Sequence, residues 1–434
     1  MGNAIWRSVK SLTRLVSAGV ERYLRASRPA KLGMAVLLVI SILFILNREP
    51  NQSFHTLPDA ACEPWEPDPQ LEENARPFPE RCSSIEKTGD AQLAYVEFDD
   101  QGDYFDQRQS FAAMHLIRNA LSETASPVEL FVFIHGWQHN ASPQDEHVKQ
   151  FRKFLSARNS NCKSGCIKKK VIGIYVGWPG KTLNFPLNGL TFWSRKAAAH
   201  RVASGSIQEF FATLQQVKMD NESSKYQVNL KTYVIGHSFG GLIAFQANSQ
   251  SLAIRYGSAV LNSRGMPQAR SVGDLLILIN PAIEALRFTS LHSLWSEYPN
   301  DPFYSPVMVV VGSRSDYATK ILFPLGVTVG TLATNQIRDG QWSETLTTIG
   351  NAKGYFTHNT YVDADGGIVV CERPHALSQR KAPFWFISAN PNLIDGHGDL
   401  NSQKLQQMFS TIKMRVDEKT LGGLPSCKGT EPDR

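Results

Sequence analysis

Residues Gly236-His237-Ser238-Phe239-Gly240 place a serine between glycines, directly after the apolar run Tyr233-Val234-Ile235. A hydroxyl held there can serve as a nucleophile. The G-x-S-x-G spacing between a strand and a helix permits a tight, strained turn that pushes the serine oxygen out at the strand end. The plain alternative is a glycine-rich strand-to-helix connection. A serine nucleophile also needs a base, an acid that orients the base, and donors for the developing oxyanion.

Acid and base are expected after the serine, in that order. The run Val307-Met308-Val309-Val310-Val311 reads as a strand, and Asp316 follows it. Phe384 to Ser388 reads as the last strand, and His397 sits beyond it between Gly396 and Gly398. His358 and His375 compete for the base, but both precede that last strand. Asp301, Asp363 and Asp365 compete for the acid, while Asp395 and Asp399 read as capping or solvated residues. For the oxyanion, one donor is the main-chain N–H of Phe239. The second is the N–H of Trp137, in the loop His135-Gly136-Trp137 that follows the apolar run Leu130 to Ile134. His135 reads as a buried histidine shaping that loop, and His237 as packing beside the turn.

These residues must be positioned by a sheet. Leu93–Phe98, Leu130–Ile134, Val171–Trp178, Thr232–Ile235, Leu275–Ile279, Val307–Val311 and Phe384–Ser388 read as strands. Between them, Gln107–Leu121, His147–Leu155, Lys196–Val217 and Phe239–Leu252 read as helices. Continuous apolar strands alternating with helices predict an α/β fold: a mostly parallel central sheet with helices on both faces. Two insertions interrupt the pattern, 180–193 and 317–383. The first carries Phe185, Phe192 and Trp193 in a loop-like setting, which makes them candidates for substrate binding, with plain packing as the alternative. The second shows no evident chemistry.

The 434 residues are 42% hydrophobic and 19% charged, a globular composition. The first 50 residues hold eight Lys/Arg against two Glu, which accounts for the whole net charge of +6. The remainder is balanced, so nucleic acid is not an expected partner. Leu32 to Leu46 is uncharged and apolar, bounded by Lys31 and Arg48. The run is shorter than the ~20 residues of a typical spanning helix. No small-residue cleavage site follows it, so the expectation is a transmembrane signal anchor over 31–47. The basic flank then leaves residues 1–30 cytoplasmic and the rest outside, periplasmic in a Gram-negative cell. Within 1–30, Ile5, Val9, Leu12, Val16 and Val20 recur at helical spacing with Arg and Lys between them, a basic amphipathic segment. Residues 48–90, rich in Pro, Glu and Asp, read as a linker, and 91–427 as the catalytic domain. Of six cysteines, Cys162–Cys166 and Cys62–Cys82 are the expected disulfides. None has His partners at metal-like spacing, so no metal is expected.

The strand ending Phe133-Ile134-His135-Gly136-Trp137-Gln138-His139-Asn140, the later Gly177-Trp178-Pro179-Gly180, the Gly236–Gly241 turn and Gly396-His397-Gly398-Asp399 together resemble the α/β-hydrolase superfamily. Within it they resemble a bacterial group of membrane-anchored serine hydrolases. The resemblance covers roughly Leu93 to Phe409. It implies Ser238 as nucleophile, His397 as base, Asp316 as acid, and Trp137 and Phe239 as oxyanion donors. It implies acyl transfer through an acyl-enzyme, with no cofactor, and does not supply the substrate; the membrane tether and the aromatic 180–193 stretch point to a small-molecule or lipid ester. A thioesterase, acyltransferase or peptidase on the same residues is the alternative within enzymes, and a non-catalytic membrane-anchored interaction protein the alternative outside them.

Overall fold

The structure is a computed structural model. It describes residues 27–56, 82–123, 126–160, 168–184, 187–261, 274–296, 306–331, 337–338, 340–373, 384–398, 400, 406, 409–413 and 427. The chain divides into two compact units, Met1–Pro50 with Thr182–Thr191, and Asn51–Lys181 with Phe192–Arg434.

The smaller unit is built on helix α1, Arg28–Leu46, which opens with a proline in its first turn. Leu38, Ile42, Leu43, Ile45 and Leu46 are exposed on it. Past its end, the Glu49 N–H donates to Thr182 O, the Asn184 N–H donates to Asn47 O, and Arg48 bridges Leu183 antiparallel. Part of the 180–193 stretch is therefore a backbone partner of residues 47–49. Phe185 lies outside the described residues. The expected anchor is helical, but among the described residues no helix is long and apolar enough to cross a membrane. At 1.5 Å per residue the uncharged run Leu32–Leu46 extends only ~22 Å, short of a ~30 Å hydrocarbon core.

In the larger unit, β1 (His55–Thr56) pairs β2 (Cys82–Ser83). The main sheet begins with β3 (Ile85–Thr88) and β4 (Ala91–Glu97), joined antiparallel. Then come helix α2 (Gln107–Glu123), β5 (Val128–Ile134), α3 (Glu146–Ser160) and β6 (Lys170–Gly177). Helices α4 (Phe192–Ser204) and α5 (Ile207–Ser223) precede β7 (Leu230–His237) and α6 (Phe239–Leu261). The rest of the sheet is β8 (Leu275–Ile279), β9 (Met308–Ser313), β10 (His358–Val362), β11 (Ile368–Glu372) and β12 (Phe384–Ala389). The ten strands run β11-β10-β12-β9-β8-β7-β5-β6-β4-β3, parallel except at the two edge pairs β10/β11 and β3/β4. A parallel sheet buried on both faces explains why every residue of β5 and β8 is buried. One apolar cluster, with α2, α4, α5 and α6, covers one face, and a second, with α3 and Phe409, covers the other.

Several expectations are corrected. The strand expected at Leu130–Ile134 starts at Val128 and includes buried Glu129. A buried carboxylate in a strand costs several kcal/mol unless paired. Glu129 is paired three times, with Lys169 at 2.8 Å, Lys413 at 3.2 Å and Arg158 at 3.3 Å. The single helix expected over Lys196–Val217 is two, because the Ser206 N–H is taken by the Gly102 carbonyl at 2.8 Å. Phe192 and Trp193 open α4 instead of standing in a loop. The 48–90 linker contributes β3, and His55 stacks on Tyr95 at 3.6 Å while its N–H donates to Glu97. The 317–383 insertion supplies β10 and β11, which extend the sheet. A disulfide joins Cys371 of β11 to Cys427. The expected pair Cys162–Cys166 falls outside the described residues, as does Cys62, the partner expected for Cys82 of β2.

Candidate active site

Strand β7 ends at His237, α6 begins at Phe239, and Ser238 is the whole turn between them. Its φ is 55°, a left-handed conformation uncommon for a residue with a side chain. The strain is held by the surroundings. The Ser238 N–H donates to Ile279 O, and its carbonyl accepts from the Ala282 and Leu242 N–H groups. A side chain at position 240 would collide with the carbonyl oxygens of Ile134 and His135, so only glycine lets α6 approach β5 this closely. A Cβ at Gly136 would stand 2.8 Å from the Ser238 Cβ, which puts the loop after β5 directly beside the serine.

Ser238, His397 and Asp316 form one hydrogen-bonded line. His397 Nε2 is 2.8 Å from Ser238 Oγ, and His397 Nδ1 is 2.8 Å from Asp316 Oδ2. With Nδ1–H donating to the carboxylate, Nε2 is left to accept the serine hydroxyl. Asp316 is fully buried, and the His397 side chain is 28% exposed. Burial pushes the Asp316 carboxyl upward, but hydrogen bonds from His397 and from the Thr319 hydroxyl and N–H outweigh it. The net effect holds it below the usual carboxylate range, so it stays ionised. A five-residue π-helical turn, Ala318–Leu322, follows the aspartate and brings Thr319 back onto it.

The His397 loop is tied from below. The His237 Nε2–H donates to His397 O at 2.6 Å. The Asn280 Nδ2–H donates to His397 O at 3.1 Å and Gly396 O at 3.2 Å, while its Oδ1 accepts the Ser313 N–H. Asn280 itself has φ 43° and sits where β8 ends. The hydroxyls of Ser313 and Ser315 donate to Ile394 O, and Ser315 Oγ accepts the Gly396 N–H. Sequence reading missed Asn280, Ser313, Ser315 and Thr319. The Ser-Arg-Ser-Asp run after the apolar strand was the available signal for the serines. His237 does more than pack: it binds the main chain of the very residue that touches Ser238.

The two expected oxyanion donors are neighbours. Phe239 is the first residue of α6, where main-chain N–H groups have no partner within the helix. The Trp137 and Phe239 rings lie 6.3 Å apart, and Phe192 fills between them at 5.5 and 5.3 Å. Trp193 is 44% exposed, and its Nε1–H donates to Gly326 O. His135 is a structural residue, as expected. Its Nε2 accepts the Trp178 N–H, so its Nδ1–H donates to Gly136 O, and burial lowers its pKa to about 4.

The competing residues stand elsewhere. His358 is buried in β10 against Thr357 Oγ1 and the Trp385 ring. Asp363 caps the β10–β11 turn through the N–H groups of Asp365 and Gly367. Asp395 is exposed, and His375, Asp301 and Asp399 lie outside the described residues. Among the described residues, one group has ligand atoms near enough for a metal, His139, Asp145 and His147, within 4.8 Å of one another. The His139 and His147 rings are stacked 3.3 Å apart and 12° from parallel. Ring-nitrogen lone pairs lie in the ring planes, so two such planes do not converge on one ion. Asp145 is already occupied by His139 Nδ1 and the N–H groups of Asn140 and His147. The group fits a helix cap better than a metal centre.

No protein-family model matches the chain, and no curated protein matches it. Among solved structures it is similar to esterase B from Lactobacillus rhamnosis, at 12% identity and a TM-score of 0.27, over 68% of this chain and 79% of that one. It is also similar to a thermophilic esterase from the planctomycete Thermogutta terrifontis, at 13% identity and a TM-score of 0.24, over 68% of this chain and 83% of that one. These likenesses carry no argument about chemistry, which rests on the residues themselves.

Proposed function

We propose that the protein is a serine hydrolase of the α/β-hydrolase type that cleaves carboxylic esters. The observation that carries this reading is the line Asp316–His397–Ser238 at two distances of 2.8 Å, with the serine on a positive-φ turn at the C-terminal edge of a parallel sheet. In this mechanism His397 Nε2 takes the Ser238 proton as Oγ attacks the ester carbonyl. The carbonyl oxygen becomes an oxyanion, received by the N–H groups of Phe239 and Trp137. His397 then protonates the leaving alkoxide, and an acyl-enzyme remains. Water, deprotonated by His397, attacks that ester and releases the acid. Asp316 stays ionised and holds the His397 tautomer. Phe192, beside both donors, and exposed Trp193 stand on the substrate side in this reading. Attachment to a membrane through Arg28–Leu46 is part of the proposal, supported by the exposed apolar residues of that helix and its basic flank.

The test is fluorophosphonate labelling of the full-length protein beside Ser238→Ala and His397→Ala, followed by a panel of ester substrates. Labelling of wild type, none of Ser238→Ala and slow labelling of His397→Ala is the expected result. A folded wild type that neither labels nor turns over any ester overturns the reading and favours an interaction protein.

A further inference from the structure

A cavity with about 560 Å³ of empty space, part of it open to the surface, lies on the face of the sheet covered by α3. Ile277 and Ile279 of β8 form its floor, and Phe151 of α3, Leu400 and Phe409 stand around it. Among the described residues that line it, the polar ones are His147 and Gln150. Its described lining is mostly apolar with few polar groups, the character of a ligand pocket. Neither ring nitrogen of His147 has a hydrogen-bond partner, nor does the Gln150 Oε1. Buried polar atoms left this way each cost on the order of 1–3 kcal/mol, so their persistence beside a cavity calls for a partner.

We propose that this cavity binds the aliphatic chain of a neutral, medium-chain alcohol or ester, with the ligand oxygen meeting His147. The lining disfavours charged ligands. Among the described residues that line the space there is no Lys, Arg, Asp or Glu, so a carboxylate or ammonium would meet no counter-charge from them. Burial holds His147 far below the usual histidine range, so it is a neutral donor and acceptor, not a counter-charge. A neutral oxygen can accept from one ring nitrogen, and a hydroxyl can donate to the other. Gln150 offers a second acceptor one turn along α3.

The cavity borders the candidate active site through two contacts. The His147 ring stands edge-on to His237 at 5.0 Å, and His237 holds the His397 carbonyl. Leu400 lies three residues beyond His397. The ligand chain therefore has two sources with one chemistry, the ester's own alkyl part or a separate lipid that acts on the His397 loop. Binding itself does not depend on the hydrolase reading; only the assignment of the source rests on it.

The experiment is calorimetric titration of the full-length protein with hexan-1-ol, using wild type, Ser238→Ala, Leu400→Trp, Ile412→Phe and His147→Phe. Saturable one-to-one binding is expected in wild type and in Ser238→Ala, whether or not the protein turns out to hydrolyse esters. Leu400→Trp and Ile412→Phe, which fill the cavity from a loop and from a helix, each raise Kd at least tenfold; if one misfolds, the other reports. His147→Phe keeps the ring and raises Kd about fivefold, the loss of one hydrogen bond. Inhibition of ester turnover competitive with substrate assigns the site to the substrate's chain; a noncompetitive effect or activation assigns it to a separate lipid. Absence of saturable binding to wild type overturns the proposal, as does binding that a folded filling variant leaves unchanged.

Discussion

The side chain of His237 donates to the main-chain carbonyl of His397 at 2.6 Å, so the residue before the serine holds the residue that touches it. Both are therefore referenced to the end of one strand, β7. Asn280 adds a second donor to the same oxygen from the neighbouring strand β8. The imidazole of His397 is thus fixed by its backbone as well as by Asp316.

This arrangement separates positioning from folding at Asn280. Its φ of 43° is a conformation that glycine adopts without strain. Asn280→Gly keeps the backbone but removes the hydrogen bonds to Gly396 O, His397 O and the Ser313 N–H. We expect kcat to fall about tenfold or more with little change in KM. Asn280→Asp should do worse, because a carboxylate would face two carbonyl oxygens. Steady-state kinetics on an ester that wild type accepts, with thermal melts alongside, decide it. A Gly variant that loses stability but keeps its kcat would show that Asn280 is merely structural.

Asp316 has the partners of an orienting acid and no exposure to solvent. Asp316→Asn retains the shape but turns an acceptor into a donor toward His397 Nδ1, which favours the wrong tautomer. The expected loss in kcat is on the order of 10⁴-fold. Asp316→Glu, longer by one methylene in a buried site, should be nearly as poor. Turnover within tenfold of wild type in Asp316→Asn would remove the residue from the mechanism.

Gly240 is a sharper test of the turn than Ser238, because it has no chemistry of its own. An added methyl meets the carbonyl oxygens of Ile134 and His135, which are backbone and cannot swing away. Gly240→Ala should cost about 3 kcal/mol of stability or more. Urea denaturation checks this, and a shift under 1 kcal/mol would mean that α6 and β5 are less closely seated than described.

Much of this was legible in the sequence because it depends on local pattern. The β7–Ser238–α6 turn declares itself through small residues at fixed offsets, and Asp316 and His397 through their place after apolar strands. What was not legible depends on residues distant in the chain. The charge of Glu129 hid the start of β5, because Lys169, Lys413 and Arg158, which neutralise it, come from elsewhere. The break between α4 and α5 comes from a carbonyl about 100 residues earlier, at Gly102, where no helix-propensity rule looks. Asn280 reads as an ordinary residue after a strand until the loop from Gly396 arrives above it. β3 (Ile-Glu-Lys-Thr) and β10 (His-Asn-Thr-Tyr-Val) were missed because their half-polar pattern resembles linker sequence, and the short β11 because it follows β10 inside a stretch read as an insertion.

His358 gives a pH prediction free of the active site. Burial alone lowers its pKa to about 3, from 6.5. The folded state therefore resists protonation, while the unfolded chain takes up the proton as pH falls through about 6.5. Between about 6.5 and 3 the unfolded state binds more protons, so stability rises with pH across that window. The contribution is fully present above about 6.5, is lost progressively on acidification, and levels off below the folded pKa. Its ceiling is on the order of 5 kcal/mol, from roughly 1.4 kcal/mol per pKa unit. His135, lowered to about 4, and His147 and His237, held well below the usual histidine range by burial, contribute in the same direction, so wild type and variant share those effects and only the His358 part is removed. His358→Gln removes one titrating ring while keeping a polar group near Thr357. Urea midpoints measured from pH 7 to pH 4 should fall less steeply in the variant than in wild type. Parallel curves would mean that His358 is solvated or already protonated in the folded state, and its burial against Trp385 would then need another account.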